Sequence, residues 1–176
     1  GRVAKNEFEY LYLESFEKMY GMAERVRQKM EGSGCGELYA GCMRRGTLVH
    51  GDYNYHNILV LKQGMAVTGF EHMCSDIQMH DLYYFMRKAM EKHHWKRKTG
   101  QQLLEAYEEE RPVCPKEREY LGLFLAYPEK FWKTAGSYYR SNKSWLPEKY
   151  VEKLKLSVRQ AEEKQCFLEE VFSLNI

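Results

Sequence analysis

One run of eight residues, His50-Gly51-Asp52-Tyr53-Asn54-Tyr55-His56-Asn57, holds the side chains best placed to do chemistry. Asp52 precedes Asn57 by five positions. A carboxylate so placed can accept the proton of an attacking hydroxyl. An amide oxygen one loop turn away can hold a divalent cation on a phosphate chain. That pair at that spacing is what phosphoryl transfer asks of a loop. The same chemistry takes a second, metal-binding carboxylate from a neighbouring strand, normally an Asp followed by Phe. Here that strand is expected to end Val67-Thr68-Gly69-Phe70-Glu71. The Phe is present, but Gly69 stands where the Asp would be. An ordinary turn between two strands is the bland reading of the same run.

The elements that must position this run are legible from spacing. Thr47–His50 reads as a short strand leading into it. Asn57–Leu61 and Met65–Phe70 read as two more, joined by a tight turn at Lys62-Gln63-Gly64. Asp81 is a good N-cap for a helix whose apolar stripe is Leu82, Phe85, Met86, Ala89 and Met90. Upstream, Phe8, Leu11, Tyr12, Met19, Ala23, Val26 and Met30 recur at helical spacing, with Gly32 as the stop. Downstream, helices are expected over 99–110, 115–126, 128–141 and 147–173, with Pro115 and Pro147 in first-turn positions. The fold class is therefore α+β, mostly helical, with a small β-hairpin insert, in a single unit over residues 1–176. The abrupt start at Gly1-Arg2-Val3 reads as the beginning of a segment of a longer protein.

Composition narrows the function classes. Lys plus Arg is 27 against 25 for Asp plus Glu, a net charge of +2. That balance argues against a histone-like nucleic-acid binder and against an acidic tail. A hydrophobic content of 44% with 30% charged residues describes a globular chain. Five dispersed cysteines form no CxxC pair, which argues against a zinc ribbon and fits a reducing compartment. The longest nearly apolar run, Leu121–Tyr127, is far short of the ~20 residues a membrane span needs.

Other segments look suggestive but read more plainly as structure. Gly32-Ser33-Gly34-Cys35-Gly36 follows a helix rather than a strand, so it reads as a helix stop and linker, not a phosphate loop. His93-His94-Trp95-Lys96-Arg97-Lys98 reads as a solvated helix end whose cations suit the macrodipole. Cys74 is expected to be buried or half-buried. Trp132, Tyr138, Tyr139 and Trp145 suit either the core or an acceptor pocket.

Residues 50–59, HGDYNYHNIL, resemble the catalytic loop of the aminoglycoside phosphotransferase and choline kinase group. With the continuation GFEHMCSDIQMHDLYYFMRK over 69–88, the stretch is similar to CotS-type bacterial spore-coat proteins. The resemblance covers about residues 45–92 and implies the C-terminal lobe of a protein-kinase-like fold, with the N-terminal lobe absent from this chain. On that basis Asp52 matches the catalytic base and Asn57 the metal-binding Asn. Gly69 replaces the expected Asp, and Glu71, two residues on and read as sharing its strand face, could lend a carboxylate. Asp81 matches an Asp that braces the loop, and His50 a packing position at its start. Mg²⁺ and ATP are implied as cofactors if the protein is active, and none otherwise. The implied partners are other spore-coat proteins, or a small-molecule acceptor if active, with neither nucleic acid nor membrane. The implied place is the cytoplasm, in association with the spore coat. Three functions follow: a spore-coat protein with a degenerate site acting in binding or assembly, an active small-molecule phosphotransferase, or a generic helical interaction module.

Overall fold

A computed structural model describes residues 6–141 and 148–176. Helix α1 (Glu7–Glu31) starts where Asn6 and Glu9 exchange bonds: Glu9 N–H donates to Asn6 Oδ1 at 3.0 Å and Asn6 N–H to Glu9 Oε2 at 3.3 Å. This reciprocal cap satisfies two amides the helix cannot satisfy itself. Helix α2 (Cys35–Arg45) follows after a three-residue break. Strand β1 (Leu48–Val49), the loop, β2 (Ile58–Leu61), β3 (Gly64–Val67) and β4 (Cys74–Ser75) come next. Helices α3 (Met79–Lys92), α4 (Arg97–Glu110), α5 (Pro115–Ala126), α6 (Glu129–Arg140) and α7 (Glu148–Phe172) complete the chain.

The mostly helical α+β class with a small β insert is the one the sequence predicts. The β part is two separate antiparallel pairs. In one, Ile58 faces Val67 and Leu61 faces Gly64, so the connecting turn is Lys62-Gln63 and Gly64 already belongs to the strand. In the other, β1 pairs with β4, Val49 opposite Cys74. That pair ties the entry of the loop to the segment following the hairpin.

The core lies among the helices. Phe8, Met19, Leu121, Phe131, Tyr138, Leu154 and Phe167 are fully buried, and the Phe8 and Tyr138 rings stack at 3.8 Å. Tyr138 is thus core rather than pocket lining, while Tyr139 is exposed. Trp132 packs edge-on to Phe131 and Phe16. Trp145 and Pro147 fall outside the described residues.

Several expectations need correcting. Gly32–Gly36 is not a plain linker, because α2 begins at Cys35. Its two glycines, Gly36 and Gly41, weaken the helical signal, and burial of Cys35 and Cys42 overrides that weakness. The 93–98 segment is not wholly solvated. Trp95 is 4% exposed, and His94 and Trp95 adopt left-handed backbone (φ 53° and 52°) where α3 turns into α4. Cys74 is exposed, because β4 is half of a two-stranded pair and both of its residues face solvent among the described residues. Asp81 is not an N-cap: α3 starts two residues earlier, with Gln78 at the cap position. No helix among the described residues is long and apolar enough to cross a membrane.

Candidate active site

Strand β1 delivers His50 to the start of the loop with its side chain buried. Its Nε2–H donates to the Thr68 carbonyl at 2.9 Å, and its Nδ1 accepts the Asp52 N–H at 3.2 Å. A carbonyl can only accept and an amide N–H can only donate, so the two bonds select one neutral tautomer. The ring packs 4.6 Å from Phe70. Gly51 follows with φ +78°, and a Cβ there would lie 2.2 Å from the His72 carbonyl oxygen. Only glycine lets the loop press this close to the segment after the hairpin.

Asp81 anchors the same two residues from below. Its Oδ2 accepts the His50 N–H at 2.7 Å and its Oδ1 accepts the Gly51 N–H at 3.0 Å. From the first turn of α3, the carboxylate thus reaches across to loop amides that no strand partner satisfies. Having both oxygens engaged is what turns it away from its own helix.

Asp52 and Asn57 come together at the loop's far end. Asn57 Nδ2 donates to the Asp52 backbone carbonyl and to Asp52 Oδ2, both at 2.9 Å. Asn54, 2% exposed, donates to the same carbonyl at 2.8 Å and to Oδ1 at 3.1 Å. Its own Oδ1 takes the His56 N–H at 3.0 Å and starts the short turn Tyr55–Asn57. The Tyr84 hydroxyl, one turn beyond Asp81 on α3, also donates to the Asp52 carboxylate. Burial works against the Asp52 charge. The Tyr84 and Asn57 hydrogen bonds, with Lys88 and His72 nearby, outweigh it and hold the carboxyl below the ordinary range. Burial, then the bond to Asp52, push the Tyr84 phenol up.

Sequence reasoning missed Asn54 and Tyr84. Asn two residues after a loop Asp and two before a turn amide is an Asx-turn signal that could have found the first. The helical offset from Asp81 to Tyr84 could have found the second only once Asp81 was placed inside α3.

Gly69 lies against Asn57. Its φ is +81°, and a Cβ built on it would fall 2.9–3.0 Å from the Asn57 amide atoms. Strand β3 ends at Val67, and Phe70–His72 is a single 3₁₀ turn started by Gly69. Glu71 is exposed on that turn, so the expectation that it shares a strand face with position 69 is corrected. The left-handed glycine bends the chain before Glu71 is reached. Among the described residues no three His, Cys, Asp or Glu side chains gather as a metal site.

A β-supported loop carrying this Asp–Asn pair, braced from the following helix, defines a kinase-like, phosphotransferase-type fold. The crystal structure of an aminoglycoside phosphotransferase from Alicyclobacillus acidocaldarius subsp. acidocaldarius DSM 446 superposes with a TM-score of 0.87 over 98% of this chain, at 18% identity. The chain spans 51% of that structure's length. Residues 2–171 match the family described as Spore coat putative kinase YutH, and the chain belongs to that family. No curated protein matches significantly.

Proposed function

We propose that the chain is the loop-bearing C-terminal lobe of a spore-coat-associated, kinase-like protein whose phosphotransfer site is degenerate and which acts by binding. Gly69 carries this reading. The position that should supply a metal carboxylate is a left-handed glycine packed on the Asn57 amide. Mg²⁺ is usually anchored by one or two carboxylates together with phosphates. The donors left here are one neutral amide oxygen and the Asp52 carboxylate, which already accepts from Asn54, Asn57 and Tyr84. That set does not fit a kinase metal. The bonds on Asp52 also make it a weaker base, since they favour the ionised form.

The surface around the loop supports the reading as a lobe. Leu48, Val60, Met65, Phe70 and Met73 are all more than half exposed on or beside the two strand pairs. So many exposed large apolar side chains in one stretch of chain point to a covering partner. A second lobe seated there would cover it, in keeping with the half-length match to the phosphotransferase structure. Coat proteins are the natural partners for a member of this family.

The active-phosphotransferase alternative draws on one observation. The Asn57 NH₂ is held on Asp52, which leaves Oδ1 for a ligand. Calorimetric titration of the intact protein with ATP, with and without Mg²⁺, separates the two. The degenerate site gives no Mg²⁺-dependent gain in affinity. A clear gain that Glu71→Gln removes would establish the active reading instead.

A further inference from the structure

Beside the loop lies a groove of about 430 Å³, walled by Tyr55 and His56 of the short turn, by Lys88 and Lys92 of α3, by Lys130 of α6 and by Gln160 of α7. We infer that this groove binds a small anion carrying two or more acidic groups. The inference deepens the reading of the chain as a binding relative of kinases, and rests on it, by naming the class of ligand.

Three observations carry it. Lys88 and Lys92 are four residues apart, so they share one face of α3 with Cβ atoms ~5–6 Å from each other. Each ammonium is held over an aromatic face: Lys88 Nζ lies 4.7 Å from the Tyr84 ring and Lys92 Nζ 4.0 Å from the Tyr55 ring. Neither makes an ion pair among the described residues, although Lys88 feels the Asp52 charge. A ring face positions a cation without neutralising it, so the ammonium keeps its hydrogens for a ligand. The groove's carboxylate, Glu91, is already engaged. Its Oε1 takes Arg87 at 3.0 Å and its Oε2 takes Lys130 at 3.3 Å.

The α3 face thus runs Tyr84, Lys88, Lys92 away from Asp52, with Tyr84 bonded to Asp52 at one end. Two fixed, unpaired ammonium groups spaced along it match a diacid or bisphosphate better than a single anion. A ligand lying on them would reach back toward the loop. Tyr55 and Gln160 supply the less charged walls, and the Gln160 amide is already fixed by its bond to the Glu91 carbonyl at 2.9 Å.

Titration of the intact protein with pyrophosphate, citrate and acetate tests this, with heat or amide NMR shifts as the readout. Pyrophosphate or citrate should bind and acetate should not. Lys88→Gln and Lys92→Gln should each weaken binding about tenfold or more, the loss of one charge-assisted bond, while Lys98→Gln, outside the groove, leaves it unchanged. Both groove lysines lie at or near the surface, so these variants should fold, and circular dichroism verifies it. Absence of binding, equal binding of acetate, or indifference to both substitutions overturns the proposal. Binding of poly-glutamate alone overturns it in favour of an acidic polypeptide. Displacement of pyrophosphate by Mg·ATP with the same lysine dependence overturns it by making the groove part of a nucleotide site. ATP turnover without such displacement would sink the degenerate-site reading and leave the groove assignment standing.

Discussion

The Asn57 amide occupies the space into which any side chain at Gly69 would have to grow. A Cβ on Gly69 would sit 2.9 Å from Asn57 Nδ2, and Asn57 is held there by two bonds to Asp52. The departure from a kinase pattern at position 69 is therefore not a missing side chain in an otherwise ready site. Backbone and neighbour are both arranged for glycine. Gly69→Ala should lower stability by about 1–3 kcal/mol, from left-handed strain and displacement of Asn57. Gly69→Asp should do the same and should fail to create a metal site. Chemical denaturation and Mg²⁺ titration of both variants check this.

The Asp81 brace gives a second expectation. Two loop amides lose charge-assisted bonds in Asp81→Ala, and each such bond is worth ~1.5–3 kcal/mol. The loss should exceed the ~0.5–2 kcal/mol of a helix cap. Amide exchange should accelerate at His50 and Gly51, and little at the start of α3. Uniform acceleration along α3 instead would return Asp81 to a capping role.

The ionisation of Asp52 can be read directly by NMR. Tyr84→Phe removes a donor to the carboxylate and should raise its pKa toward the ordinary range. Because the folded value is depressed, the ionised form contributes stability above the unfolded pKa, and this is lost as pH falls through the folded one. Tyr84→Phe should narrow that acid-side loss. Asp52 stays accessible, so the effect on stability is small.

Lys164 sets the alkaline behaviour. It is buried, donates to the Tyr127 carbonyl at 2.8 Å, and lies 5.2 Å from the Trp95 ring. Burial lowers its pKa to about 7, against the pull of Glu91 and Glu129. Between about 7 and the ordinary lysine value of 10.5 the unfolded chain binds the extra proton, so this group makes stability rise with pH across that window. Below it, the cost of burying the charge is present in full. Denaturation of the Lys164→Met variant should show its advantage over the parent shrinking from pH 7 to pH 10. A constant difference would mean that Lys164 is not buried as described.

What could be read from the sequence divides along physical lines. Helix α5, with its proline start at Pro115, was legible to the residue, the other striped helices to within a few residues at their ends, and the Asp52–Asn57 pair stood out because its spacing is chemical rather than structural. Helix α2 was not legible, since Gly36 and Gly41 dilute its pattern and only tertiary burial of Cys35 and Cys42 makes it form. Strand β4 is a two-residue pair whose sole signal is its partner β1. Asp81 was legible as important but not in its role. A residue in the first helical turn with two loop amides above it looks, in one dimension, like a cap. The turn at Phe70–His72 depends on the left-handed φ of Gly69, so the exposed position of Glu71 could not be seen from spacing.

On the proposed reading, the loop keeps its kinase-like form without its transfer chemistry. The most direct measurement is single-turnover release of the γ-phosphate from Mg·ATP by the intact protein, with Asp52→Asn as reference. The two proteins should give the same rate, indistinguishable from ATP in buffer. Turnover by the parent that Asp52→Asn abolishes would contradict it.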